Sequence, residues 1–591
     1  MNGFDALLVT LNAILWHDWV LFILLGTGVA FTFWSGFSQY RALTHGIQVV
    51  RGTYDDLEAP GAINHFQALS AALSATVGLG NIGGVALAIA LGGPGAVFWM
   101  WVVGLFGMSI KLTEVCLSML YRNTDDPDNP HGGPMWVVSK GLERMNPSLA
   151  PLGKAIGWLF CVTLLISTVT GGNMFQAWNV GLLTEEATGM PTIGVGIVLA
   201  ILVGAVIIGG IKRIGHVAGI LVPFMCILYV LAGIVVIIMY IDRIPAIFGL
   251  IFTRAFMPTE AAGAFVGGTA GYAFLWGMKR ALFSSEAGQG SSPIAHSAAK
   301  TKEPVREAVV AGLEPFVDTI IVCTLTALVI LATGAWDRGG QGEATLADGH
   351  TFTAGQMEGT WNFGIWGDPD PDDRDDTEQW HVPLPRKHKE AIVTTKKDWV
   401  NEDEVFVMAD VSEIDDDTGT TRVRINGEVA LLEDGSYAIV FEEGVLQSEQ
   451  APTLVDNEVY KEYPSAALTS HAFDRAVPGL GTWLVLIAAW LFAISTMISW
   501  SYYGEQGMIF LLGKASVFPY KLFYCLMIIV ATFPGLITTD KELDGLTTLG
   551  TGVMLWANIP IMLIFGFIAM RAYHDYMRKL SRGEFSSERR S

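Results

Sequence analysis

Apolar residues along the chain come in blocks of about 20, separated by short polar segments. Trp19 to Phe37 is one such block, and Val222 to Tyr240 is another. A block of this length crosses the hydrocarbon core of a bilayer as one helix. The pattern predicts an all-α polytopic membrane protein with eleven spans, at residues 17–37, 64–91, 94–121, 154–181, 191–211, 216–240, 262–283, 305–335, 477–503, 517–538 and 545–572.

The orientation follows from Lys and Arg in the short loops, which concentrate on the cytoplasmic side. The C-terminal tail, residues 574–591, is rich in Arg and Lys, whereas Met1 to His17 contains neither. This predicts a cytoplasmic C-terminus and an outside N-terminus in a bacterial-type plasma (inner) membrane. Ile244 to Phe256 is apolar but short, and it is predicted to be an interfacial helix.

The net charge of −21 is confined to one segment of the chain. Between Asp337 and Asp474 there are 31 acidic and 10 basic residues, so the rest of the chain is neutral and gives no reason to expect nucleic-acid binding. The predicted units are residues 1–335 (spans one to eight), 336–476 (an acidic insertion outside the membrane), 477–573 (spans nine to eleven) and the tail at 574–591. The insertion is expected to be an accessory part of the protein.

Alternation of apolar and polar residues in Thr421 to Leu432 and in Ser436 to Glu442 predicts a β-rich fold for the insertion. Asn426-Gly427 is predicted to form a hairpin turn. The run Asp368 to Glu378 admits a calcium site, because oxygen ligands at alternate positions suit calcium. A solvated acidic loop is the alternative, since the glycine turn of an EF-hand is missing.

The second predicted span contains four glycines within seven residues, Gly78 to Gly84. Each costs about 1 kcal/mol relative to Ala within a helix. An unwound stretch exposes backbone groups, which a membrane tolerates where protein, ion or substrate satisfies them. The alternative is close helix packing through small residues. A broken helix would offer N–H groups to a carboxylate at Gly78, Gly80, Asn81, Gly83 and Gly84, and carbonyls to sodium at Thr76, Val77 and Gly78.

A second interruption follows the seventh span, in Gly277 to Gly290, where charged residues come directly after an apolar stretch. Arg280 and Glu286 could pair with each other and fasten the loop. In the eighth span Asp318 lies near the midplane, where a carboxylate is costly and needs the site or a partner. It is a candidate for coupling. Lys111 and Glu114 are three residues apart and are predicted to form a structural pair.

Four stretches resemble the alanine or glycine:cation symporter family, and together they reach across all eleven spans. They are Gly92 to Trp101 (GGPGAVFWMW), Lys279 to His296 (KRALFSSEAGQGSSPIAH), Phe316 to Thr324 (FVDTIIVCT) and Phe492 to Glu505 (FAISTMISWSYYGE). Ala281 and Ser285 depart from the family pattern, which leaves the substrate preference open. The acidic insertion lies outside the resemblance.

The resemblance implies a leucine-transporter-like fold, with two inverted repeats of five helices after one extra helix. Both breaks would then lie in the first helix of a repeat. It also implies that Phe175, Gln176, Phe283, Ser284 and Trp500 face the substrate. Ser495 and Thr496 would complete a sodium site with the carbonyls of the second span.

The sequence therefore predicts a secondary transporter, not an enzyme, that imports a small neutral amino acid, alanine or glycine, with sodium. The ATP-binding pattern G-x-x-x-x-G-K-[ST] is absent from the sequence. The alternatives are proton coupling through Asp318, an amino-acid sensor that uses the insertion, and an ion channel. The sequence leaves the amino acid, its stereoisomer, the stoichiometry and the oligomeric state open.

Overall fold

The computed structural model describes residues 3–56, 58–256, 272–337, 466–537 and 540–585, and between 338 and 465 it describes short strands and Tyr463. Buried apolar side chains from the helices form one continuous core. Before residue 257 the helices are α1 Gly3–Leu15, α2 Asp18–Trp34, α3 Ser38–Arg41, α4 Ile47–Val50, α5 His65–Thr76, α6 Val85–Gly92, α7 Ala96–Tyr121, α8 Pro134–Met145, α9 Ala150–Val169, α10 Phe175–Thr188, α11 Thr192–Ile207, α12 Gly210–Met239 and α13 Ile244–Arg254.

From residue 272 onward the α-helices alternate with shorter helical turns. They are α14 Tyr272–Ser285, α15 Ser292–His296, α16 Pro304–Ala311, α17 Thr324–Ala332, α18 Ala466–Ala476, α19 Leu480–Leu512, α20 Val517–Ala531 and α21 Asp540–Ser581. The π-helical turns are Ala42–Gly46, Gly80–Gly84, Thr170–Met174 and Phe316–Cys323, and the 3-10 turns are Pro147–Leu149 and Lys514–Ser516.

The second predicted span is bent by 54° between His65–Thr76 and Gly80–Gly92. Its first half begins with a capping box, in which the side chains of Asn64 and Gln67 each accept the other's backbone N–H. Its regular hydrogen bonding stops at Thr76 and resumes at Gly80. The broken helix predicted from the glycine cluster is therefore present, and Val77–Leu79 is called the first break below.

Eight helical segments of the described chain are long and apolar enough to cross a membrane, or nine if the bent pair counts as one span. Two shorter helices, α11 and α14, fall on the remaining predicted spans at 191–211 and 262–283. Each predicted span thus contains helix, while eleven crossings and the inverted repeat stay predictions. The helix α13 falls on the predicted interfacial segment.

The acidic segment contains short strands in two sheets. The strands are β1 Ala344–Thr345, β2 Thr353–Met357, β3 Thr360–Gly364, β4 His381–Pro383, β5 Glu404–Ser412, β6 Thr420–Leu431, β7 Tyr437–Phe441, β8 Val445–Leu446, β9 Thr453–Leu454 and β10 Glu458–Lys461. One sheet has the order β1-β10-β5-β6-β7-β4, with β9 also on β5, and the other has the order β2-β3-β8. The position of the acidic segment outside the membrane stays a prediction. The run Asp368 to Glu378, which is the candidate calcium site, lies outside the described residues.

The predicted hairpin turn at Asn426-Gly427 is wrong. Both residues lie inside β6, where Asn426 pairs with Phe406 and Gly427 pairs with Val405 and Phe441. The alternation that places Val429 on the buried face continues through the pair without a change of phase. Strand pairing on both sides therefore overrides the local turn preference.

The end of the acidic segment packs on the membrane helices. In α18, Phe473 is fully buried, and the Thr469 hydroxyl donates to the carbonyl of Ile82 at 3.0 Å. Arg475 Nε donates to the carbonyl of Thr333 at 2.8 Å. Residues 466–476 therefore belong structurally with the helical core, although they fall inside the predicted insertion.

Candidate functional site

Two reciprocal hydrogen bonds join the bent span to α19 just before the first break. Ser74 Oγ donates to the carbonyl of Ser495 at 2.6 Å, and Ser495 Oγ donates to the carbonyl of Ser74 at 3.3 Å. Ser495 Oγ also lies 2.9 Å from the carbonyl of Phe492. Both serines are buried. The pair fixes α5 against α19, so Thr496, the next residue of α19, is held beside the first break.

The hydroxyl of Thr496 lies against the first break without a protein partner. Thr496 is buried, its Oγ1 has no hydrogen bond, and a Cβ added to Gly78 would lie 2.9 Å from that oxygen. Thr76 Oγ1 makes only long contacts, at 3.4 and 3.5 Å, with the carbonyls of its own preceding turn. Buried oxygens with incomplete hydrogen bonding at an unwound helix are suitable ligands for a sodium ion.

Asn81 clamps the first break from within. Its Oδ1 accepts the Gly78 N–H at 2.8 Å, and its Nδ2 donates to Ser284 Oγ at 2.9 Å and to the carbonyl of Asp318 at 3.2 Å. The first N–H groups of the second half-helix, at Leu79 and Gly80, have no acceptor in a preceding turn. They are the groups of this span that suit a carboxylate.

A second break follows α14, and we define it as Glu286–Ser291. Glu286 has φ 51°, and Gly288 and Gly290 have φ 85° and 80°. The left-handed conformation costs a non-glycine residue roughly 1–2 kcal/mol, so packing has to hold Glu286 there. Gln289 N–H donates to the carbonyl of Glu286 at 3.1 Å, and Gln289 Nε2 donates to that of Leu282 at 3.1 Å. The chain reverses tightly and keeps both side chains at its inner edge.

Both breaks border one small interior cavity, called the central cavity below. It is lined by Ala75, Thr76, Gly78, Leu79, Gly80, Ser167, Gly171, Gln176, Phe283, Glu286, Gln289, Thr496, Trp500, Thr547 and Thr551.

Aromatic rings and close helix contacts keep the cavity small. A Cβ added to Gly80 would lie 3.4 Å from Phe283 Cδ1, and one added to Gly172 would lie 2.5 Å from Trp500 Cβ. The two rings therefore close over glycine positions of neighbouring helices. A ligand with a bulky side chain has no room without displacing one of the rings.

The structure brings seven of the predicted site residues to the cavity, and seven others do not line it. Thr76, Gly78, Gly80, Gln176, Phe283, Thr496 and Trp500 line it. Val77, Asn81, Gly83, Gly84, Phe175, Ser284 and Ser495 do not line it. The binding roles stay predictions for both sets.

Asp318 has protein partners and does not line the cavity. Thr319 Oγ1 donates to its Oδ1 at 2.8 Å, and Ser284 Oγ donates to its Oδ2 at 3.0 Å. Asp318 is fully buried. The sequence predicted that this carboxylate faces either the site or a protein partner, and the structure shows protein partners. The predicted pairing of Arg280 with Glu286 is not present among the described ion pairs, and Arg280 stacks on the ring of Trp276 at 5.6 Å instead.

Sequence reasoning missed eight residues that line the cavity. They are Ala75, Leu79, Ser167, Gly171, Glu286, Gln289, Thr547 and Thr551. Glu286 and Gln289 are in a motif that the sequence singled out, three residues apart and one turn beyond Phe283. Ala75 and Leu79 lie in the glycine-rich stretch of the second predicted span. The three hydroxyl residues carry no local signal, because a Ser or Thr in an apolar helix usually bonds its own backbone, as Thr551 does to Thr547.

A buried chain of charged groups extends from the second break. Lys111 Nζ lies 3.7 Å from Glu114 and 3.2 Å from Glu314. His296 contacts Glu314 through Nε2 at 2.6 Å and Glu307 through Nδ1 at 2.5 Å. Glu307 also contacts His65, and Ser292 donates to Glu314. Asn558 donates to Glu114 and to the carbonyl of Gly288. The predicted pair Lys111–Glu114 is confirmed as part of this larger network.

The family model described as "Sodium:alanine symporter family" matches residues 1–365 and 446–590. The chain belongs to the sodium:alanine symporter family. The long unmatched stretch, residues 366–445, lies within the acidic segment. The match includes residues 336–365 and 446–476, so the expectation that the whole insertion lies outside the resemblance is wrong at both of its ends. Family membership also shows that the chain is a multi-pass membrane transporter and not an enzyme.

The chain is also similar in sequence to individual members of the sodium:alanine symporter family. The chain is 44% identical over 331 residues to the sodium/alanine symporter AgcS of Methanococcus maripaludis, which covers 56% of this chain and 71% of that protein. It is 30% identical over 579 residues to the putative sodium/proton-dependent alanine carrier protein YrbD of Bacillus subtilis, covering 97% and 93%. The probable sodium/glutamine symporter GlnT of the same organism is 34% identical over 354 residues, covering 60% and 70%. Among solved structures, MhsT in complex with L-phenylalanine matches with a TM-score of 0.47 and 13% identity, over 85% of this chain and 89% of that one.

Proposed function

We propose that this member of the family imports alanine or glycine together with sodium by alternating access. The observation that supports it best is the unpartnered Thr496 hydroxyl beside Gly78, at a bend whose two halves border the cavity. In this proposal the sodium ion binds there, between α19 and the first break. Occupation of the site favours one arrangement of the helices, which couples the ion gradient to substrate binding.

The substrate is proposed to lie in the central cavity, with its carboxylate at the N–H groups of Leu79 and Gly80. Phe283 and Trp500 limit its side chain. Because both rings already lie against glycine positions, alanine, glycine and serine are expected to compete for uptake, whereas leucine and phenylalanine are not. Strong competition by leucine at a similar concentration would contradict this small-substrate assignment.

The function is tested by uptake of labelled alanine and glycine into proteoliposomes that contain the purified transporter. An inward sodium gradient is expected to drive accumulation, and potassium in place of sodium is expected to abolish it. Full accumulation in sodium-free buffer driven by a pH gradient would support proton coupling and overturn the sodium proposal. Large currents without saturable uptake would indicate a channel, and binding of the amino acid without uptake would indicate a sensor.

The orientation is also a proposal. The C-terminal tail is placed in the cytoplasm of a cell with a plasma (inner) membrane, and the N-terminus and the acidic segment are placed outside. Cysteine labelling of single surface positions in intact cells tests this. A tail cysteine that reacts with an impermeant reagent from outside would reverse the assignment.

A further inference from the structure

The second break places a carboxylate in the wall of the central cavity. Glu286 is 3% exposed and lines the cavity with Phe283, one turn before it, and Gln289, one turn after it. Its backbone is in the left-handed conformation, with φ 51°. Packing maintains this conformation although glycine would adopt it with less strain, which points to a use for the carboxylate itself.

Glu286 has a hydroxyl partner but no cation. Ser291 Oγ donates to its Oε2 at 2.5 Å. In the described part of the chain no ion pair includes Glu286, and Lys111 is in contact with Glu114 and Glu314 instead. A buried carboxylate without a cation is costly in a low-dielectric interior, so this one is suited to a positively charged ligand.

The basic groups of the buried network already face other carboxylates. Lys111 lies between Glu114 and Glu314. Each ring nitrogen of His296 faces a carboxylate oxygen, of Glu307 on one side and of Glu314 on the other. Glu286 takes part in none of these contacts and lines the cavity instead.

Two more acceptors in the same cavity lack donors. Gln289 Oε1 and Gln176 Oε1 are buried without a hydrogen bond. The amide orientation is fixed in both cases, because Gln289 Nε2 donates to the carbonyl of Leu282 and Gln176 Nε2 donates to that of Gly171 at 3.2 Å. An ammonium group has three N–H donors and no acceptor, so it matches these two oxygens and one carboxylate.

We propose that Glu286, with Gln289 and Gln176, binds the ammonium group of the amino-acid substrate. This inference rests on the proposed function, in which the first break holds the substrate carboxylate. The two breaks then recognise opposite charges of one zwitterion. A compound that lacks the ammonium group leaves three buried acceptors unsatisfied and is rejected for that reason.

The experiment compares Glu286→Gln with wild type in proteoliposomes, with Glu286→Asp as a second variant that keeps the charge. We expect Glu286→Gln to raise the KM for alanine about 10-fold or more, since a charge-assisted hydrogen bond is lost. Competition by lactate, which has a hydroxyl in place of the ammonium group, is expected to be negligible in wild type and to approach that by alanine in Glu286→Gln. Glu286→Asp is expected to keep the wild-type preference for alanine over lactate.

The matched control is Glu114→Gln, which removes a buried carboxylate of the same network that does not line the cavity. Its preference for alanine over lactate is expected to equal that of wild type. An unchanged KM and an unchanged preference in Glu286→Gln would overturn the proposal. The thermal shift that sodium produces without amino acid is expected to be the same in wild type and Glu286→Gln, and its loss would assign Glu286 to the ion and overturn the ammonium assignment.

Failure of the proposed function is distinguished from failure of the ammonium assignment, because it is seen as a lack of uptake in wild type itself. If wild type takes up neither alanine nor glycine, the uptake proposal is wrong. The ammonium assignment is then decided with the amino acid that is transported and its own hydroxy acid, by the same comparison of wild type and Glu286→Gln.

Discussion

Replacing Thr496 by alanine removes one hydroxyl from the first break and little else. The Oγ1 atom has no protein hydrogen bond to lose, and it lies where a Cβ on Gly78 would approach within 2.9 Å. In the absence of sodium the variant is therefore expected to be as stable as wild type, or more stable. A buried hydroxyl without a partner costs about 1–3 kcal/mol, which the substitution removes.

The magnitude follows from the loss of one oxygen ligand. A hydrogen bond to a charged group contributes about 1.5–3 kcal/mol, and we take a similar value for one sodium ligand, so the sodium dissociation constant should rise about 10-fold or more. At a sodium concentration of ten times the wild-type dissociation constant, binding stabilises the folded protein by about 1.4 kcal/mol. In a variant with a 10-fold weaker site the same concentration gives about 0.4 kcal/mol.

Two measurements check this reasoning. Alanine uptake is measured against sodium concentration, with potassium as the replacement, and the midpoint of thermal unfolding is measured with and without sodium. Thr496→Ser keeps the hydroxyl and is the matched control, so its sodium dependence is expected to stay close to that of wild type. An unchanged sodium dependence in Thr496→Ala would refute the site, and destabilisation in sodium-free buffer would show that the hydroxyl has a structural partner.

Three further predictions concern packing, the insertion and the buried network. Gly172→Ala places a Cβ 2.5 Å from Trp500 Cβ and is expected to lower both the unfolding midpoint and uptake. The control is Gly26→Ala, whose added Cβ has nothing within 4 Å and is expected to change neither quantity. Equal behaviour of the two variants would contradict the packing argument. Replacing residues 366–444 by a four-residue turn joins β3 to β8, which already pair antiparallel. This deletion is expected to leave uptake largely intact. Loss of uptake in a normally inserted protein would show that the insertion takes part in transport. Glu314→Gln removes the carboxylate that Lys111 and His296 share, so that Lys111 keeps only Glu114 and His296 keeps only Glu307. It is expected to destabilise the fold by about 3–5 kcal/mol, and an unchanged unfolding midpoint would show that the network contributes little.

Local signals in the sequence predicted the parts of the site that depend on near neighbours. The glycine cluster at Gly78 to Gly84 identified the first break, because poor helix formers act at their own position. The pair Lys111–Glu114 followed from spacing along one helix. The resemblance to a family added Gln176 and Trp500, which nothing in their own surroundings marks as cavity residues.

Signals that depend on distant chain segments could not be read in this way. Glu314 and His296 are brought to Lys111 by the packing of different helices, and their spacing in the sequence does not indicate it. The predicted hairpin turn at Asn426-Gly427 was wrong for the same reason, since the strands on both sides hold these two residues in an extended conformation. Thr547 lines the cavity from the last long helix, a contact that only the assembled fold reveals.

The contact between Lys111 and Glu314 also has a consequence for synthesis in the cell. The two residues are about 200 positions apart, so at 5–20 residues per second Glu314 is made about 10–40 s after Lys111. Glu114 is already made by then and can neutralise Lys111 as their helix enters the bilayer. The helix α7 therefore enters its final environment with one carboxylate partner, and it gains the second when the chain beyond α16 is inserted.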